Sequence, residues 1–155
     1  MRASNIFSVN DAMGKTLKCF CFGLLLMLAA ASMYAQVVLE VTVTNFKDRG
    51  GSLVVALFDS DKKFLKHAFA AATLQFEGDS ATVVFQDLLP GDYALSAFHD
   101  VNDNKRLDTN VLGIPTEGFG FGNNAMGLFG PPTFKSAKIV VKQGTVKHFL
   151  TLKHF

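Results

Sequence analysis

Val37-Val38-Leu39-Glu40-Val41-Thr42-Val43-Thr44 decides the fold class. Val37, Leu39, Val41 and Val43 fall on one side, with Glu40, Thr42 and Thr44 opposite. Period two built from β-branched residues marks a strand that buries one face and wets the other. A helix would instead group its apolar residues at three- and four-residue intervals. The pattern recurs downstream. Residues 52–58 are more continuously apolar, a strand buried on one face and partly covered on the other, and the turn before it, Lys47-Asp48-Arg49-Gly50-Gly51, has glycines to supply positive φ. Residues 73–77 and 81–86 read as a hairpin around Gly78-Asp79-Ser80. Leu89-Pro90-Gly91-Asp92 turns into a strand over residues 93–99. There Tyr93, Leu95, Ala97 and His99 share one face, and Ala94, Ser96, Phe98 and Asp100 the other. Tyr93 stands where Ig-like sandwiches place a tyrosine corner, whose hydroxyl bonds to upstream backbone. Residues 134–142 and 145–153 read as a last pair around Gln143-Gly144. Residues 59–72 fit either a short helical turn capped by Asp59-Ser60-Asp61 or an irregular loop with inward aromatics. Seven short strands at near-regular spacing, with no long helix, mean an all-β protein. The expected architecture is a single antiparallel β-sandwich, Ig-like or transthyretin-like.

Upstream of this domain the chain changes character. Lys15 and Lys18 precede an apolar run over residues 19–31, and small residues follow at Ser32 and Ala35. This is the order of a secretory signal peptide. The run is shorter than the roughly 20 apolar residues that span a bilayer. The expected division is a signal peptide over residues 1–35 and a sandwich domain over residues 36–155, with cleavage after Ala35 preferred to cleavage after Ala31. Met13 heads a more ordinary signal peptide than Met1 does. Cys19 and Cys21 both lie in the export segment, so the processed chain would have no thiol for a disulfide or a metal. That segment also carries three of the 15 basic and one of the 13 acidic residues, leaving 12 of each. A neutral chain without a basic stripe argues against nucleic acid as a partner. The reading is a periplasmic or secreted protein with no transmembrane anchor after processing, and with a cell-envelope protein or glycan as its partner.

Residues 98–124 are too long for an ordinary strand connection. The first half spaces oxygen-bearing side chains at alternate positions: Asp100, Asn102, Asn104, then Asp108. With the carbonyl of Arg106, this is the spacing of a calcium loop. Two features depart from it: Lys105 replaces the glycine of the sharp turn, and Val111 replaces the closing carboxylate. Glu117 can fold back as the missing acid. Ca²⁺ would then bind in the weak extracellular regime, with a Kd of roughly 10⁻⁴ to 10⁻³ M. The competing reading is an Asx-rich loop whose side chains bond their own backbone. In the second half, Phe119, Phe121 and Asn123 stand among glycines. They form a candidate site for a small molecule or a glycan, or a lid folded over the open end of the sandwich. No catalytic residue is expected. Ser96 and His99 point to opposite faces of one strand, and no Gly-x-Ser-x-Gly elbow is present. His99 reads as a hydrogen-bonded residue at the edge of the core.

The motif from His99-Asp100-Val-Asn102-Asp-Asn104 through Leu112-Gly113-Ile114-Pro115-Thr-Glu117-Gly118-Phe-Gly-Phe121-Gly-Asn123-Asn124 to Gly130-Pro-Pro132-Thr-Phe134 is long and specific. It resembles an uncharacterised secreted bacterial family, the domain of unknown function numbered 2141. The resemblance extends to Gly51-Ser-Leu-Val-Val-Ala-Leu-Phe58 and Leu88-Leu-Pro90-Gly91-Asp-Tyr93-Ala94. It implies a periplasmic or secreted β-sandwich and no established activity, and that family usually carries glycine at the position of Lys105. The expected function is a non-enzymatic exported domain with a weak calcium loop. The alternative is a binding module for a small molecule or glycan at residues 113–124.

Overall fold

A computed structural model describes residues 37–155; the export segment expected over residues 1–35 lies outside the described residues. β1 (Val37–Thr44) forms where the alternation is strictest, and burial follows it. Val37, Leu39, Val41 and Val43 are buried, while the residues between them are half-buried. β1 is the middle strand of a three-stranded sheet. β4 (Ser80–Leu88) pairs with it antiparallel on one side, and β8 (Gly144–Thr151) parallel on the other.

The second sheet is built on β2 (Ser52–Phe58), which lies between β3 (Ala70–Gln75) and β5 (Gly91–Asp100), antiparallel to both. The far side of β5 is shared. β7 (Lys138–Val141) pairs with its first residues and β6 (Phe119–Phe121) with later ones. A single helical turn, α1 (Phe134–Ala137), is capped by the Thr133 side chain and leads into β7.

Both expected hairpins are corrected. Residues 76–79 carry the chain from β3 in the five-stranded sheet to β4 in the three-stranded one. Lys142 and Gln143 do the same between β7 and β8. A turn signal reports that the chain reverses; it does not say which sheet receives the next strand. Here the crossing puts Ala81, Val83 and Phe85 of β4 into the shared core opposite Leu53, Val55 and Leu57 of β2. The parallel β1–β8 pair is the exception to the antiparallel expectation, and it joins the first and last strands of the domain. Residues 59–69 form turns and bends without a regular helix.

The core between the sheets takes Leu39, Val41, Leu53, Leu57, Leu95 and Leu150 to complete burial or within 1 % of it. Each such side chain contributes about 1.5–3 kcal/mol relative to leaving it in water. Tyr93 enters this core at the start of β5, and its hydroxyl donates to the Leu89 carbonyl at 3.0 Å, a tyrosine corner. A second apolar cluster lies on the outer face of the five-stranded sheet. It contains Phe58, Ala94, Phe119, Phe121 and Ala137, with Phe64 and Phe134 packed over it.

Candidate functional site

β5 ends at Asp100, whose side chain is 1 % exposed. A carboxylate so placed needs hydrogen-bond donors, and the loop turns back to supply them. Asp100 Oδ1 accepts the N–H of Asn104 at 3.0 Å and Oδ2 that of Lys105 at 2.7 Å. The turn puts Asp103 at φ 58° and Lys105 at φ 64°. That is the left-handed region where glycine costs least, so the glycine the resemblance expects at Lys105 has a backbone reason.

The next ring of contacts uses the asparagines in both directions. Oδ1 of Asn102 accepts the Asn104 N–H at 3.2 Å, and Oδ1 of Asn104 accepts the Arg106 N–H at 2.8 Å. Their amide groups then donate to the two oxygens of Asp108, at 2.8 Å from Asn102 and 2.9 Å from Asn104. Glu117, also buried, bridges the two ends of the loop. It accepts the N–H of Val101 and that of Asp108, both at 2.9 Å. Asp103 accepts the Ser52 hydroxyl, which fastens the loop to β2.

In this arrangement the asparagine oxygens serve the backbone. A calcium loop turns oxygens inward; here the groups that meet Asp108 are N–H donors. Rotating either amide to present its oxygen would break its bond to Asp108 and its bond to the backbone together. Arg106 contributes its N–H to the loop, and each oxygen of Glu117 accepts one N–H. Among the described residues, no three side chains of His, Cys, Asp or Glu form a group that could hold a metal. Residues 100–108 with Glu117 thus form a clasp that bonds its own backbone, an arrangement of the Asx-rich kind.

Beyond the clasp the chain forms a small hairpin tip, closed by the Thr109–Pro115 bridge. Asn110 organises it. Its N–H donates to Ile114 O at 2.8 Å, and its carbonyl accepts the Gly113 N–H at 2.9 Å. Its side-chain oxygen accepts the N–H groups of Leu112 and Ile114 at 2.9 and 3.1 Å. The tip raises Val111 and Leu112 into solvent at 101 % and 79 % exposure, with Ile114 beside them at 40 %. Sequence reasoning missed this feature; the available signal was Asn110 just ahead of Val-Leu-Gly, a residue type that bonds the backbone two positions on.

The glycine and phenylalanine half closes the structure. Phe119 and Phe121 are 7 % and 8 % exposed, inside the outer cluster. Neither ring is offered to a ligand at the surface. Gly120 faces the other way, and a Cβ there would lie 2.5 Å from the Leu150 side chain of β8. Gly122 has no room either, because a Cβ would run into the Ala137 carbonyl. Asn123, expected to touch a ligand, instead donates to the carbonyls of Ser136 and Lys138 at 3.1 and 2.8 Å. Asn124, missed in the sequence, accepts the Thr151 N–H at 2.8 Å. Both asparagines sit at positive φ, 57° and 52°, where this residue type is best tolerated.

His99 is 1 % exposed, and its Nε2 donates to the Gly50 carbonyl at 2.7 Å. Phe46 and Phe76 pack against its ring. Ser96 lies on the opposite face of β5, in register with Phe121, so the two do not meet. A cleft of about 430 Å³ near this histidine is lined by Gly50, Gly51, Gln75, Phe76 and Glu77. That lining holds one carboxylate and neither a nucleophile nor a base to work with it.

No curated protein and no solved structure matches this chain. A family model matches residues 41–148, from the middle of β1 to β8 and across the whole clasp, tip and closure. Those are the segments whose geometry explains the motif, and the chain belongs to the family described as an uncharacterised protein conserved in bacteria, DUF2141.

Proposed function

We propose that this chain is an exported, non-enzymatic binding domain of the cell envelope, and that its contact element is the apolar tip Val111-Leu112 with Ile114. The observation that carries the reading is the exposure of two aliphatic side chains on a tip whose Leu112, Gly113 and Ile114 N–H groups are already bonded to Asn110. Leaving a buried backbone group unpaired costs about 1–3 kcal/mol. Asn110 engages the N–H groups of Leu112, Gly113 and Ile114 before any partner arrives, so covering the tip releases apolar surface at little polar expense. The clasp beneath it holds the tip in one position, which reduces the ordering cost of binding.

The tip is convex and aliphatic, which suits an apolar recess on a partner protein. A sugar face is usually met by exposed aromatic rings, and the tip carries none. Export rests on the signal segment of the sequence. Among the described residues no helix is long and apolar enough to cross a membrane.

Photocrosslinking in producing cells tests the assignment. A photoreactive residue at position 112 should yield a discrete adduct, and one at exposed Lys135 should not. No adduct at 112, or the same adduct from both positions, would remove the tip from the function. N-terminal sequencing of the exported protein checks the other half, with Gln36 expected first.

A further inference from the structure

Among the described residues, β3 (Ala70–Gln75) has its ladder on one side only, towards β2. Strands left this way are normally guarded by charge, proline or a bulge, because their unpaired backbone groups template another strand. β3 has none of these. Phe69-Ala70-Ala71-Ala72-Thr73-Leu74-Gln75-Phe76 contains neither a charged residue nor a proline. Its register with β2 runs without a shift. Ala71, Thr73, Leu74 and Gln75 are exposed. β4, the border strand of the other sheet, is guarded, with a register shift opposite Val37 and Leu39 and Asp87 at φ 56°.

We propose that β3 is the edge through which two copies of this chain pair, antiparallel about a two-fold axis, merging two five-stranded sheets into one of ten strands. The flanks select this partner and this direction. Lys66 and His67 precede the strand, Glu77 and Asp79 follow it, and all four are exposed. The ion pairs among the described residues join Lys63 to Asp59, Lys138 to Asp92 and Lys147 to Glu40, so these four groups are not committed to one another or to a neighbour.

An antiparallel two-fold brings the basic flank of each copy to the acidic flank of the other, at both ends of the pairing. Opposed residues in a sheet point to the same face, so the axis passes by Ala72 or Thr73. Either choice sets Lys66 and His67 within a few residues of Glu77 and Asp79. Between the flanks the opposed side chains are small or uncharged, with no like charges face to face. A parallel pairing would set basic against basic.

Sedimentation of the naturally processed chain over a range of concentrations tests this. A reversible dimer is expected. Thr73→Lys puts two ammonium groups beside the axis and should leave a monomer with an unchanged melting temperature in dilute solution. Lys66→Glu should weaken the dimer several-fold, and adding Asp79→Lys should restore it. A wild type that stays monomeric at every concentration, a dimer indifferent to Thr73→Lys, or a charge swap that fails to restore pairing would each overturn the proposal.

Discussion

The two borders of the sandwich handle free strand edges in opposite ways. On one border, Phe119 exchanges backbone hydrogen bonds with Lys153, at 3.0 and 2.7 Å. The turn Gly122–Asn124 adds a second stitch, with Asn123 bonded towards β7 and Asn124 towards β8. Strands of both sheets are thereby held to one connector. On the other border, β3 carries no cap, no charge and no bulge. The difference teaches where the family motif acts: much of the Gly-Phe-Gly-Phe-Gly-Asn-Asn run is edge closure, written in residues that resemble a binding loop.

Substitutions on the closed border should therefore cost the most. Gly122→Ala drives a methyl group into the Ala137 carbonyl and should destabilise by about 3 kcal/mol, read as a lowered denaturation midpoint. A loss below half of that would mean the stitch is slack. Asn124→Ala leaves the Thr151 N–H without its partner and should cost about 1 kcal/mol.

Acid should loosen the same border. Burial holds the His148 ring below the ordinary histidine value of 6.5. Its Nε2 accepts the Asn123 N–H at 3.3 Å, a bond that only the neutral ring can make. The unfolded chain therefore gains its proton at higher pH than the folded one. This contribution is fully present above the unfolded value and is lost as pH falls through the folded value. The melting temperature should drop as pH falls below the ordinary histidine value of 6.5, and His148→Gln should flatten that slope. Equal slopes would detach His148 from the closure.

The open border should tolerate change. Thr73→Lys should shift the stability of dilute protein by no more than about 0.5 kcal/mol, as exposed positions do. The clasp sets the lower end of the scale: millimolar Ca²⁺ should leave the melting temperature unchanged, and a clear rise would mean that the amides of Asn102 and Asn104 can turn their oxygens inward.

Most strand positions were legible because alternation is a local signal; β6 was not, and residues 134–137 of the expected strand form a helical turn ahead of β7. The burial of β1 follows Val37 to Val43, and Tyr93 makes its corner. Sheet membership was not legible, since Gly78-Asp79-Ser80 marks a reversal and says nothing about the sheet that receives β4. At the candidate site, residue types and spacing picked out the segment but not its hydrogen bonds. Asn102 and Asn104 each carry an acceptor and a donor, and only coordinates reveal that the donor faces Asp108. Phe119 and Phe121 read equally as ligand platform or lid until β6 is seen beside β5, with Gly120 turned towards Leu150. The apolar tip was hidden because short-range polarity gives no sign of how far a hairpin stands from the core.

Amide hydrogen exchange compares the two borders in one experiment. In dilute protein the Thr151 amide should be protected, and Asn124→Ala should release it. The outward amides of β3 should exchange as exposed groups and gain protection as concentration rises. A β3 edge already protected at the lowest concentration, or a Thr151 amide indifferent to Asn124→Ala, would contradict the account.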